Sequence, residues 1–215
     1  MKNNYKKIAT LGMLCAMSYI AVVICRIPIV LFLKYEPKDV IITVAGFIYG
    51  PLTSCIISVI VSFVEMITIS DTGPWGFIMN ALSSCAFACT AAFIYKKKRT
   101  ISGAVIGLIS GTVLLTAVML LWNYLITPIY MNAPREQVVG MLIPAFLPFN
   151  LIKGVLNTAL TLVIYKPLVK ALRSADLIPR PETSAKNGSY IGILLVSFIV
   201  IITCTLIILV LNGTI

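Results

Sequence analysis

Asn150 and Lys153 are the side chains in this sequence best placed to do chemistry. They lie three residues apart inside the apolar run Met141–Tyr165, so one helical turn brings an amide and an ammonium to the same helix face. A lysine at the centre of a membrane helix costs about 3 kcal/mol on insertion scales, and such a charge marks a functional position by default. A purely structural lysine there would require an anion, and no acidic residue lies within its own run. A polar partner or ligand is therefore expected at that face.

Other chemistries are poorly provided for. The chain has no histidine, so it has no Ser-His or Cys-His couple and no HExxH zinc site. No glycine is followed by lysine, which rules out a Walker A loop and self-contained ATP hydrolysis. The seven acidic residues form no pair on one helix. Glu65, the single carboxylate within a span, reads either as a proton relay or ligand contact, or as a side chain reaching the interface. All six cysteines lie in apolar runs and read as small packing residues. Cys85 and Cys89 are one turn apart, as a metal pair could be, but no further thiol lies nearby in sequence. Neither an enzyme nor a metal site is expected.

The elements that position these residues belong to a membrane. The 215-residue chain is 60% hydrophobic and only 11% charged, with a mean hydropathy of +1.03, whereas soluble domains carry about 25% charged residues. Apolar runs of about 20 residues cross the hydrocarbon core. The runs predict an all-α integral membrane protein with spans near 8–27, 39–50, 52–69, 76–95, 102–127, 143–166 and 190–211. The division at Gly50-Pro51 rests on the strength of that pair as a helix breaker. Met1–Arg26 reads as a span rather than a cleaved leader, since no small-x-small site follows it.

The basic residues set the orientation. Lys2, Lys6 and Lys7, the tetrad Lys96-Lys97-Lys98-Arg99, and Lys166, Lys170, Arg173, Arg180 and Lys186 make up twelve of seventeen. An even number of spans before residue 166 puts all three clusters on one side, which the positive-inside rule makes the cytoplasm. This supports the break at Gly50-Pro51 and a cytoplasmic N-terminus in the cell membrane. The net charge of +10 is then an orientation signal. Short juxtamembrane clusters without interleaved aromatics do not suit nucleic acid.

On the outer side the same topology gathers polar residues. The connection Pro28–Lys38 brings Lys34, Tyr35, Glu36 and Asp39. The connection Ser70–Trp75 brings Asp71, Thr72 and Trp75, with Met79 and Asn80 beyond it. Asn123, Tyr124 and Thr127 flank the connection Pro128–Leu142, and Asn150 and Lys153 enter the sixth span from that end. Helix starts at Asp39 and at Pro74–Gly76 add unpaired N–H groups. Together these describe an outward-facing pocket with hydrogen-bonding groups and aromatic walls, suited to a planar, polar-edged solute. The plainer readings are interhelical hydrogen bonds for Asn80 and Asn123, an interfacial anchor for Trp75, and a solvated loop for Tyr35 and Glu36.

An ordered set of segments carries a family resemblance. Phe32-Leu33-Lys34-Tyr35-Glu36-Pro37-Lys38-Asp39, Ala45-Gly46-Phe47-Ile48-Tyr49-Gly50-Pro51, Thr72-Gly73-Pro74-Trp75-Gly76-Phe77-Ile78-Met79-Asn80, Trp122-Asn123-Tyr124 and Pro148-Phe149-Asn150-Leu151-Ile152-Lys153-Gly154 resemble the riboflavin-specific S component of energy-coupling-factor (ECF) transporters, the RibU type, over about residues 5–175. The resemblance implies a six-helix substrate-binding domain over 1–175. It implies capture of riboflavin from outside, and delivery driven by a transmembrane coupling subunit and two cytoplasmic ATPase subunits. Carried over by motif, Asn123, Asn150 and Lys153 are the implied polar contacts to the flavin, with Glu36, Thr43, Gly46, Trp75, Met79 and Asn80 as further additions. Riboflavin is the transported ligand rather than a cofactor.

S components also carry small residues on their first helix, where the coupling subunit docks. Gly12 and Ala16 supply that spacing here, although it also serves contacts within one chain. One feature departs from the family pattern. A basic linker over 176–189, with Pro179-Arg180-Pro181 and Gly188-Ser189, leads to a further apolar run at 190–215, expected to form an extra C-terminal transmembrane helix. Two other function classes remain open on the sequence: an S component for another vitamin or flavin, and a self-contained permease.

Overall fold

The computed structural model describes residues 2–30, 33–70, 72–178 and 190–211. Asp71, the sequence 179–189 with Pro179-Arg180-Pro181 and Gly188-Ser189, and residues 212–215 lie outside the described residues. The elements run α1 (Lys2–Ile24), β1 (Ile27–Val30), β2 (Leu33–Tyr35), α2 (Lys38–Tyr49), α3 (Pro51–Thr68), α4 (Gly73–Lys97), α5 (Ile101–Leu125), α6 (Thr127–Met131), α7 (Arg135–Met141), a π-helical turn (Leu142–Phe146), α8 (Leu147–Ser174) and α9 (Tyr190–Leu211).

Among the described residues, six helical stretches are long and apolar enough to cross a membrane: 5–24, 51–68, 73–97, 101–125, 135–174 and 191–210. α2, expected as a span, is shorter than these, although it returns the chain from the hairpin to the Gly50 turn at the other end of the bundle. Its 12 residues rise only about 18 Å. The reason lies in the segment before it. Residues expected as an outer connecting loop form an antiparallel hairpin, with Ile27 opposite Tyr35 and Pro28 opposite Lys34. Its Ile29 and Tyr35 are buried against Phe149, Ile152 and Leu156 of α8 and Cys204 and Ile208 of α9. The chain therefore enters α2 already inside the bundle, and Lys38 and Asp39 are fully buried rather than exposed.

The break at Gly50-Pro51 is present. Gly50 has φ +101°, a conformation that favours glycine, and Pro51 begins α3, where its missing N–H costs nothing. The α4–α5 seam is equally dependent on glycine: a Cβ at Gly107 would lie 2.7 Å from the Ala91 carbonyl oxygen, and one at Gly111 2.6 Å from that of Phe87. Small residues of this kind let membrane helices approach closely. Around that seam Leu14, Ile42, Ala45, Ile57, Val61, Phe87, Leu108 and Leu115 form the main apolar core.

The expected connection Pro128–Leu142 is largely helical, as α6 and α7, and α7 runs through the π turn into α8. Pro148 cannot donate to the carbonyl four residues back. The Leu147 N–H bonds instead to the Leu142 oxygen, five back, which widens one turn.

Contacts gather the basic clusters at one end of the bundle. Lys6 pairs with Asp176 at 2.6 Å, Lys7 sits 5.7 Å over the Tyr49 ring, and Phe47, Tyr95 and Tyr165 stack together. The N-terminal tail, the Gly50 turn and the ends of α4 and α8 thus share that end. α9, the additional helix, packs along α8 and against β1.

Candidate functional site

At the opposite end a cavity opens between the hairpin, α4, α5 and α8. Six of the nine expected ligand residues line it: Glu36, Met79, Asn80, Asn123, Asn150 and Lys153. Lys34 and Thr127 are also on its wall, as are Arg26 and Ser83, which the sequence reading missed. Three expected residues lie elsewhere. Thr43 is buried one turn into α2 and donates to the Asp39 carbonyl. Gly46 is a packing position, where a Cβ would meet Ser54 Oγ at 2.0 Å and Ala92 Cβ at 2.8 Å. Trp75 is exposed at the start of α4.

Lys153 does have an anion, supplied by another helix. Its Nζ lies 3.5 Å from Asp39 Oδ2 and donates to Ser83 Oγ at 2.9 Å. Asp39 also accepts from Ser84 Oγ and from Asn157 Nδ2 at 3.2 Å, and Asn157 Oδ1 accepts from the Tyr35 hydroxyl at 2.8 Å. This line of polar groups ties β2, α2, α4 and α8 together beneath the cavity. Asn157 was legible in principle, because Asn150, Lys153 and Asn157 fall on one stripe of α8.

A second network stands beside it. Lys38 Nζ donates to Glu65 Oε1 at 2.7 Å and Glu36 Oε2 at 3.1 Å. Arg26 Nε holds the other Glu36 oxygen at 2.9 Å, and Asn80 Nδ2 donates to Glu65 Oε2 at 3.0 Å. Glu65 is therefore neither exposed nor snorkelling: it anchors Lys38 and fixes the Asn80 amide. Burial works to raise the Glu36 carboxyl, but the Lys38 ammonium and the Arg26 guanidinium outweigh it and hold the group below the ordinary carboxylate range. Three buried or half-buried cations, Arg26, Lys38 and Lys153, thus meet three carboxylates, Glu36, Asp39 and Glu65.

The two asparagines complete the wall. Asn123 Nδ2 donates to the Met119 carbonyl at 2.7 Å, and its Oδ1 accepts from Thr127 at 2.9 Å. Asn150 Nδ2 donates to the Phe146 carbonyl at 2.7 Å. Its Oδ1 is buried and has no hydrogen-bond partner among the described residues. An orphaned buried acceptor costs about 1–3 kcal/mol, so its place on a cavity wall marks where a donor is wanted.

The family model for the ECF transporter substrate-specific component matches residues 6–165. The chain is 30% identical to the riboflavin transporter FmnP of Bacillus subtilis (strain 168) over 158 residues, covering 68% of this chain and 83% of that protein. It is 27% identical to the riboflavin transporter RibU of Staphylococcus aureus (strain TCH60) over 177 residues, 78% and 93% of the two chains. A solved S component of a bacterial ECF transporter superposes with a TM-score of 0.68 at 28% identity, covering 79% of this chain and 99% of that one.

Proposed function

Because the chain belongs to the substrate-specific components of ECF transporters, a family of transport subunits rather than enzymes, we propose that its cavity captures riboflavin at the outer face of the cell membrane. The basic end then faces the cytoplasm, in keeping with the positive-inside rule. A transmembrane coupling subunit and two ATPase subunits drive release inward.

The observation that carries the ligand assignment is the orphaned Asn150 Oδ1 one helical turn from the Lys153 ammonium. The pyrimidine edge of an isoalloxazine ring presents an imide N–H between two carbonyls, so it needs one acceptor flanked by donors. Asn150 Oδ1 takes the N–H. Lys153 and the Asn123 amide donate to ring oxygens, and Met79 and Phe149 offer apolar surface to the ring faces. The mutual pairing of three cations and three carboxylates suits an uncharged ring better than an anion, although the exposed Lys34 adds a positive charge at the rim. Glu36 and Asn80 hold the wall through the second network, Thr43 and Gly46 set how α2 lies behind it, and Trp75 anchors the start of α4.

Gly12 and Ala16 form the docking stripe for the coupling subunit in this reading. Both are exposed on α1, and among the described residues a Cβ at Gly12 would meet nothing within 4 Å, which leaves that face open to a partner. The direct test is riboflavin titration of the purified protein, read by quenching of its fluorescence. Tight, one-to-one quenching and a yellow preparation are expected. A protein that leaves flavin fluorescence unchanged, yet binds another vitamin, belongs to a different branch of the family.

A further inference from the structure

The fold gives Cys85 and Cys89 a third partner that their spacing in α4 does not show. Cys55 comes across from α3, and the three Sγ atoms lie within 4.8 Å of one another, with Cys55 and Cys85 at 3.9 Å. All three are free, half-buried thiols. We propose that this triad is a three-coordinate site for a soft monovalent cation, copper(I), on the α3–α4 seam.

Geometry supports an ion at the centre. Three sulfurs at about 2.3 Å from a metal form a triangle with edges of about 4.0 Å, the bond length times the square root of three. The Cys55–Cys85 edge already has that length, and the upper bound on the others is within a side-chain adjustment of it. A disulfide requires sulfurs at about 2.05 Å, so the spacing matches a bridging ion better than a bond.

A neighbouring hydroxyl points the same way. Ser58 follows Cys55 by one turn of α3, is fully buried, and stands beside Cys85. Its Oγ lies within hydrogen-bonding reach of the Cys85 sulfur, and a hydroxyl donor is best served there by a sulfur that carries charge. A metal-bound thiolate is such an acceptor, and outer-shell donors of this kind commonly orient metal ligands.

Ligand type and number select the ion. Thiolates favour copper(I) and zinc among common metals, but zinc takes four ligands in its structural sites, and among the described residues no fourth histidine, cysteine or carboxylate stands with the three. Cysteine binds a metal as the thiolate, so each of the three thiols gives its proton to water as its sulfur–copper bond forms. No electron moves.

The test uses the full-length protein in detergent, reduced and anaerobic, titrated with copper(I) buffered by a colorimetric chelator. We expect one copper taken per chain, three protons released per ion, and protection of Cys55, Cys85 and Cys89 from alkylation as read by mass spectrometry. Cys55→Ala and Cys89→Ala lose copper capture, whereas Cys204→Ala keeps it. Variants are scored only where their elution and thermal midpoint match the parent, and either triad variant suffices. Equal copper capture by the Cys89→Ala and Cys204→Ala proteins overturns the proposal. So does alkylation of the triad at the same rate with and without copper(I), or protection by zinc(II) in preference to copper(I). None of these readings depends on flavin.

Discussion

Replacing Asp39 by Asn separates the structural task of the buried ion pair from its contribution to ligand binding. Asp39 is fully buried and Lys153 nearly so, 3.5 Å apart. Removing one member of such a pair leaves an uncompensated charge and costs about 3–5 kcal/mol. Asp39→Asn leaves the buried Lys153 ammonium bonded to the neutral Ser83 hydroxyl, so the upper part of that range is expected. Lys153→Met leaves Asp39 its bonds from Ser84 and Asn157, so the lower part applies. Removing both charges in Asp39→Asn/Lys153→Met restores most of the stability, since replacing a whole buried pair is often close to neutral. Affinity follows a different pattern. A hydrogen bond from a charged donor contributes about 1.5–3 kcal/mol, so both proteins lacking the lysine bind riboflavin roughly 10- to 150-fold more weakly. Thermal unfolding of the ligand-free proteins in detergent, with riboflavin quenching alongside, reads the two quantities separately. Simple additivity of the two single changes in stability would refute the pairing. Unchanged affinity in Lys153→Met would refute its place in the ligand site.

Four further outcomes follow from other parts of the molecule. The Glu36 carboxyl is held below its ordinary value in the folded state, so its contribution is complete above the unfolded glutamate value of about 4.3 and is lost as pH falls through the folded value; Glu36→Gln flattens the acid limb of a plot of thermal midpoint against pH. Gly46→Ala pushes a Cβ to 2.8 Å from Ala92 Cβ and costs about 1–3 kcal/mol by overpacking, whereas Gly12→Leu leaves stability and flavin affinity unchanged but abolishes uptake in cells that supply the ATPase module. Truncation after residue 178 leaves the riboflavin affinity unchanged in quenching titrations, because α9 packs on the outer side of β1 and α8 and contributes no residue to the cavity wall.

How much of this was legible depended on whether the signal was local. Gly50-Pro51 announced its turn because a breaker pair acts through its own φ angles and missing N–H. Lys153 stood out because a charge in an apolar run is costly wherever the helix lies, and the parity of basic clusters placed it at the end opposite them. The hairpin at Ile27–Tyr35 was missed because two strands of three or four residues carry no periodicity distinguishable from a loop. That omission propagated. With residues 28–38 read as a connecting loop, Lys38 and Asp39 were given no partners on other helices, and Lys153 looked unpaired. Its partner lies 114 positions away, as the residue numbers show, and no spacing rule reaches that far. Cys55 joined Cys85 and Cys89 for the same reason, across a helix pair rather than along one.

The short helix α2 explains why the two charged networks sit where they do. A helix that begins inside a bundle leaves its first N–H groups without intrahelical partners, and Pro37 before it provides no side-chain cap. Asp39 in its first turn places a carboxylate in the favourable field of those groups, and that carboxylate in turn compensates Lys153. Lys38, one residue earlier, points to α3 instead and is held by Glu65 and Glu36. Two successive residues of one helix start thereby fix both sides of the cavity, α8 through Asp39 and the hairpin through Lys38. Displacing the hairpin from α2 requires breaking the contact of Glu36 with Lys38, and Glu36 lies on the cavity wall. A ligand touching that wall therefore acts on the joint between hairpin and bundle, which is where a subunit that must hold its cargo and later release it has to be adjustable.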